Sequence, residues 1–81
     1  MTVTVQFFSY FKELIGIGEL SRNVVDGCTL GQLHDDLCGE YPSLQEMSRS
    51  TLIAVGVDYQ PSEFVLSDGD VVSLFPPVQG G

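Results

Sequence analysis

One segment restricts the fold of this chain more than any other: Thr29 to Pro42, a single well-signalled helix set among strand-like stretches. Thr29-Leu30-Gly31-Gln32 has the spacing of a capping box, in which the Thr29 and Gln32 side chains satisfy backbone amides that otherwise lack partners. Leu30, Leu33 and Leu37 then fall on one face, joined a turn later by Tyr41. Gly39 suits the helix exit, and Pro42 stops the helix. A lone amphipathic helix must bury its stripe against another element, and the rest of the 81 residues supplies strands.

Val3, Val5 and Phe7 alternate with Thr4 and Gln6, the period of a half-buried strand, and Phe8 breaks the alternation. Ser9 stands where it would cap a short helix over Tyr10 to Ile15, ended by Gly16 and Gly18. A second strand is expected from Leu20 to Val25, followed by an Asp26-Gly27 turn. Beyond the main helix, Ser43-Leu44-Gln45-Glu46 repeats the capping pattern for one more short helical turn. Leu52 to Val57 reads as a strand buried on both faces, Asp58 to Ser62 as loop, and Phe64-Val65-Leu66 as no more than an edge segment. Ser67-Asp68-Gly69-Asp70 is a turn, and Val71 to Phe75 is the last strand. This order predicts one α+β domain over 1–75, with the main helix packed across one face of a mixed sheet and 76–81 as an extended tail.

Composition supports a packed core: 43% of residues are hydrophobic, including five Phe and three Tyr. A domain of this size buries only about 60% of the surface its unfolded chain exposes, so few apolar side chains are spare. Eleven acidic residues face three basic ones, Lys12, Arg22 and Arg49, for a net charge of −8. Such a field repels nucleic acid and anionic lipid, so neither is an expected partner, while basic protein surfaces are favoured. Net charge of this size also keeps a small domain soluble. The stretch Met1 to Phe7 has no basic region of a signal peptide, and no apolar run approaches the ~18 residues of a membrane helix, so a cytoplasmic protein is expected.

Cys28 and Cys38 are too far apart for a CxxC motif and lack cationic neighbours in sequence, which reads as two buried apolar residues. His34 has no second His or Cys at ligand spacing and reads as a helix-surface or core-edge residue, so no metal site is expected. Asp35, Asp36, Glu40 and Glu46 are most simply a solvated face, with docking to basic partners as the other reading. Lys12 is the only lysine, which would leave few internal amines to attack a carboxyl group if one were activated, but the acidic composition explains the scarcity equally well.

The last six residues, Pro76-Pro77-Val78-Gln79-Gly80-Gly81, carry the functional signal. Frayed ends rich in small residues are common. Here the Gly-Gly pair follows a strong strand and a stiff Pro-Pro spacer without further padding. Six extended residues reach up to ~20 Å, enough to thread a channel in another protein. Glycines without Cβ atoms fit where other residues clash. The Gly81 carboxylate is unhindered, and its α-carbon has no stereocentre to epimerise when the carboxyl is activated. Phe75, at the base of the tail, is either a core residue or a docking anchor.

The run Leu66-Ser67-Asp68-Gly69-Asp70 through Phe75-Pro76-Pro77-Val78-Gln79-Gly80-Gly81 resembles the C-terminus of the small subunits of molybdopterin synthase (MoaD), members of the β-grasp, ubiquitin-like sulfur carriers that also include ThiS. Val5-Gln6-Phe7-Phe8, Lys12-Glu13-Leu14-Ile15-Gly16 and Ala54-Val55 agree in order. Gly56, where the family commonly has Asn, and Val71, where it often has an acidic residue, depart from the pattern without touching the tail. The resemblance implies a β-grasp fold and a carrier with no permanently bound cofactor and no catalysis of its own. In the cycle it implies, an adenylating enzyme of the ubiquitin-activating type spends ATP on the Gly81 carboxylate. A sulfur-donor enzyme displaces AMP to leave a thiocarboxylate, and Phe75, Pro76, Pro77, Val78, Gln79 and Gly80 engage the partners. Sulfur then passes to a cyclic pyranopterin phosphate inside a large subunit, in a heterotetrameric synthase. Carriers for thiamine-thiazole or amino-acid sulfur, and lysine-conjugated modifiers, share the Gly-Gly ending and remain alternatives, as does a plain interaction module.

Overall fold

The computed structural model describes residues 1–77. The alternation at the start becomes strand β1 (Thr2–Phe7), with Val3, Val5 and Phe7 buried on one side. Helix α1 (Tyr10–Ile15) follows and sinks Phe11 into the core. Ser9 makes no side-chain capping bond, contrary to expectation. A capping hydroxyl works from extended backbone, whereas Ser9 sits at φ 53° and ψ −130°.

Strand β2 (Glu19–Asn23) starts one residue earlier and ends two earlier than its side chains suggest. Its limits are those of its pairing with β1, from Glu19 opposite Gln6 to Asn23 opposite Thr2. Helix α2 (Leu30–Glu40) opens with the expected capping box: the Gln32 N–H donates to Thr29 Oγ1 at 3.2 Å, and the Thr29 N–H donates to Gln32 Oε1 at 2.9 Å. Gly39 lies inside this helix instead of ending it, and the backbone of Tyr41 makes the break. Pro42 then takes the first position of helix α3 (Pro42–Gln45), where its missing N–H costs nothing, and Tyr41 rather than Ser43 stands at the cap.

A 3₁₀ turn (Ser48–Ser50) leads to β3 (Leu52–Val55). The expected burial on both faces is not found. Ala54 and Val55 are buried, Leu52 is exposed, and Val57 stands out in a turn made possible by Gly56 at φ 65°. A two-residue strand β4 (Asp58–Tyr59) replaces the expected loop, pairing Tyr59 with Ala54 and Asp58 with Val55. Phe64-Val65-Leu66 contributes a single bridge, Val65 to Thr29.

Among the described residues, strand β5 (Val71–Phe75) completes a five-stranded sheet in the order β2-β1-β5-β3-β4, parallel only between β1 and β5. The preceding turn fixes that central pairing: Thr2 donates its N–H to Asp68 Oδ1 and accepts from the Gly69 N–H, both at 2.8 Å, with Gly69 at φ 86°. Leu30, Leu33 and Leu37 of α2 pack with Val3, Val5, Phe7, Val72 and Leu74 on one face of the sheet. Each such side chain contributes about 1.5–3 kcal/mol by leaving water. A mixed sheet grasping one main helix is the ubiquitin-like β-grasp fold.

Candidate functional site at the root of the tail

Because β5 lies between β1 and β3, the chain leaves the sheet from its centre. Pro76 and Pro77 follow Phe75 directly and end the ladder, since neither has an N–H to give. The α2 helix covers one face only, so residues of the opposite parity stand on an open face. Toward β2 and β1 that face is polar: Glu19, Ser21, Asn23, Thr2, Thr4 and Gln6. Toward β5, β3 and β4 it is mostly apolar, with Val71, Phe75, Leu52, Ala54 and Tyr59 around a buried Ser73.

Phe75 is half-buried, in the middle of an aromatic row. Phe8 stacks on it, with ring centroids 4.8 Å apart and planes 13° from parallel, and Tyr59 meets it edge-on at 6.2 Å. The two possibilities for Phe75, core or surface anchor, thus resolve into a surface residue held by two neighbours. A groove of about 940 Å³ runs beside it, bordered by Tyr10, Met47, Leu52, Tyr59, Pro76 and Pro77, with Glu46 at its rim. Such a concave apolar patch beside a chain exit suits a protein surface better than a small polar ligand.

Of the residues singled out in the sequence, Phe75, Pro76 and Pro77 come together here, while Val78, Gln79, Gly80 and Gly81 lie outside the described residues. Phe8, Tyr59 and Leu52 join them without having been marked beforehand. The broken alternation at Phe8 was the one available signal. Tyr59 was hidden because its neighbours Asp58 and Gln60 read as loop.

Cys28 and Cys38 are buried and unpaired as a disulfide. Burial pushes both thiols up, reinforced by Asp36 beside Cys28 and Asp35 beside Cys38, so neither is primed as a nucleophile. His34 is half-buried at the core edge, and burial lowers its pKa against the opposing pull of Asp35. Asp35, Asp36, Glu40 and Glu46 are all solvent-exposed, and Glu40 also pairs with Arg22 of β2. Among the described residues, no group of three or more His, Cys, Asp or Glu side chains is arranged to hold a metal ion. No helix among them is long and apolar enough to cross a membrane.

A family model described as the ThiS family matches residues 5–81. The chain belongs to the ThiS family. Among relatives of this ThiS-family chain, a molybdopterin synthase sulfur carrier subunit of Mycobacterium tuberculosis is 38% identical over 98% of the chain and 96% of the relative. Small archaeal modifier protein 3 of Haloferax volcanii is 30% identical over the full length of both. Among solved structures, a complex of subunits 1 and 2 of molybdopterin-converting factor from Helicobacter pylori contains a chain that is 32% identical, with a TM-score of 0.72 and full coverage of both chains.

Proposed function

We propose that this chain is the sulfur carrier subunit of a molybdopterin synthase and that the reacting group is the carboxylate of Gly81. The observation that carries the reading is the family match, which runs to residue 81 and so takes in the Gly-Gly ending. The relative from Mycobacterium tuberculosis bears the sulfur-carrier name, and the Helicobacter pylori structure pairs the similar subunit with a second one. The aromatic row and apolar groove supply a docking face at the point where the tail departs.

The chemistry follows from what a carboxylate lacks. It is a poor electrophile until one oxygen becomes part of a good leaving group. A Gly81 oxygen attacks the α-phosphorus of ATP on a partner adenylating enzyme, and pyrophosphate departs. A donor sulfur at the oxidation level of sulfide attacks the acyl carbon, and AMP leaves with the original oxygen. The thiocarboxylate sulfur attacks a carbon of a pterin precursor held by a large subunit and displaces an oxygen substituent; water then cleaves the acyl–sulfur bond, leaving the sulfur on the pterin and restoring the Gly81 carboxylate. The chain contributes the arm and the docking face; the groups that catalyse each transfer belong to the partners.

The test is an intact mass after incubation with ATP, a sulfide source and a matched adenylating enzyme, beside a variant lacking Gly81. Replacement of one oxygen by sulfur in the intact chain alone is the expected result. An unchanged mass with an enzyme that is active on its own carrier refutes the reading. The likeness to small archaeal modifier protein 3 favours a second reading, conjugation of Gly81 to lysines, which discrete heavier adducts on a denaturing gel would reveal.

A further inference from the structure

Ser9 is the only non-glycine residue among those described that has a positive φ, and it stands between the core and the aromatic row. Its φ of 53° and ψ of −130° mirror an ordinary extended cap, a geometry that L-residues hold only when their surroundings over-determine it. Those surroundings are visible on both sides. Phe7 and Phe11 are buried in the core, at 2% and 0% exposure. Between them, Phe8 donates its N–H to the Leu74 carbonyl at 3.2 Å and lays its ring on Phe75. Two successive phenylalanines therefore point to opposite faces, and the chain must then turn back at once so that Phe11 enters the core. That reversal takes place at Ser9, where Phe11 donates its N–H to the Phe8 carbonyl at 3.1 Å across the positive φ.

The Ser9 side chain is exposed and makes no capping bond, so its hydroxyl explains nothing about the position; its backbone does. We infer that Ser9 is a positioning residue for the tail: its strained backbone holds Phe8 over Phe75 and so fixes the base from which Pro76 and Pro77 depart. This rests on the reading of the tail as the reacting arm. If Ser9 relaxes, the surface stack yields before the buried Phe11 does, because less area is at stake in the stack. The fold survives while the base of the tail loosens.

Three variants of the full chain test this: Ser9→Val, whose β-branched side chain disfavours positive φ; Ser9→Gly, which adopts it freely; and Phe8→Leu, which removes the stacking ring at an exposed position. Two readouts are taken. The ring-proton shifts of Phe75 report the stack directly, and pyrophosphate exchange by a matched adenylating enzyme reports KM and kcat for the carrier. Ser9→Val is expected to lose the ring-current shift and raise KM about tenfold with kcat unchanged. Ser9→Gly is expected to keep the wild-type shift and KM, which shows that backbone geometry and not the hydroxyl matters. Phe8→Leu is expected to reproduce the KM rise, which ties the stack to docking; if Ser9→Val does not fold, Ser9→Ala, whose Cβ substituent also leaves positive φ unfavourable, takes its place with the same expected direction. An unperturbed Phe75 in Ser9→Val, an unchanged KM in Phe8→Leu, or a Ser9→Gly protein as impaired as Ser9→Val overturns the proposal. Failure of the wild-type chain to be adenylated counts against the proposed function, and the ring shifts then decide the role of Ser9 alone.

Discussion

Two glycines of the same helix should respond to the same substitution with opposite signs. At Gly31, an added Cβ would lie 2.9 Å from Ser62 Cβ and 3.2 Å from the Ser62 carbonyl oxygen. Carbon atoms prefer about 3.5–4.0 Å, so the loop must retreat. That loop is pinned to the first turn of α2: Gly31 donates its N–H to Ser62 O at 2.9 Å, and Leu30 donates to Phe64 O at 2.8 Å. Overpacking costs about 1–3 kcal/mol and a weakened hydrogen bond up to about 1, against a helix-propensity gain of at most about 1. Gly31→Ala is therefore expected to lose about 1–3 kcal/mol, a fall in Tm of roughly 6–18 °C for a domain of this size. At Gly39, nothing lies within 4 Å of the added Cβ. Gly39→Ala should gain about 0.5–1 kcal/mol, a rise of roughly 3–6 °C. Thermal melts followed by circular dichroism measure both. A Gly31→Ala protein as stable as the parent, or a Gly39→Ala protein destabilised to the same degree, refutes the steric reasoning.

Phe75→Ala should weaken partner binding by about 2 kcal/mol or more but cost folding only about 0.5–1.5 kcal/mol, since its ring packs on surface neighbours; calorimetric titration beside urea unfolding compares the two, and equal losses would disprove the anchor. Thr29→Ala breaks one arm of the capping box and should cost about 1 kcal/mol in urea unfolding; no change would mean the cap is redundant with the loop carbonyls beside it. Stability should also depend on pH at both ends. His34 has a folded pKa below 6.5, so its contribution is lost as pH falls through 6.5 toward that lower value, because the unfolded chain then binds the proton more readily. Cys28 and Cys38 have folded pKa values above 9.0, so stability falls as pH rises past 9.0 and the unfolded chain ionises first. Urea midpoints across this range, repeated with His34→Gln, should flatten the acid limb; an unaltered limb rules His34 out as its source.

Local chemistry determined much of this protein. The capping box at Thr29, the leucine face of α2, the alternation of β1 and the turn before β5 depend on neighbours a few residues apart, and each forms where its pattern stands. The stiff Pro-Pro exit and the Gly-Gly ending belong to the same class, because covalent structure alone makes them what they are. Tertiary structure decided the rest. Leu52-Ile53-Ala54-Val55 looks doubly buried, but one helix covers one face, and Leu52 is left to the open side. Ser73 points to that same open face and is nonetheless buried, because it sits on the central strand between Gln6 of β1 and Ala54 of β3. Asp58-Tyr59 becomes a strand only because Gly56 turns the chain back onto β3. The aromatic row needs Phe8, Tyr59 and Phe75 from three distant parts of the chain, and no short-range pattern shows that they meet. Their meeting follows from strand order, which is settled by burying the most apolar surface around α2.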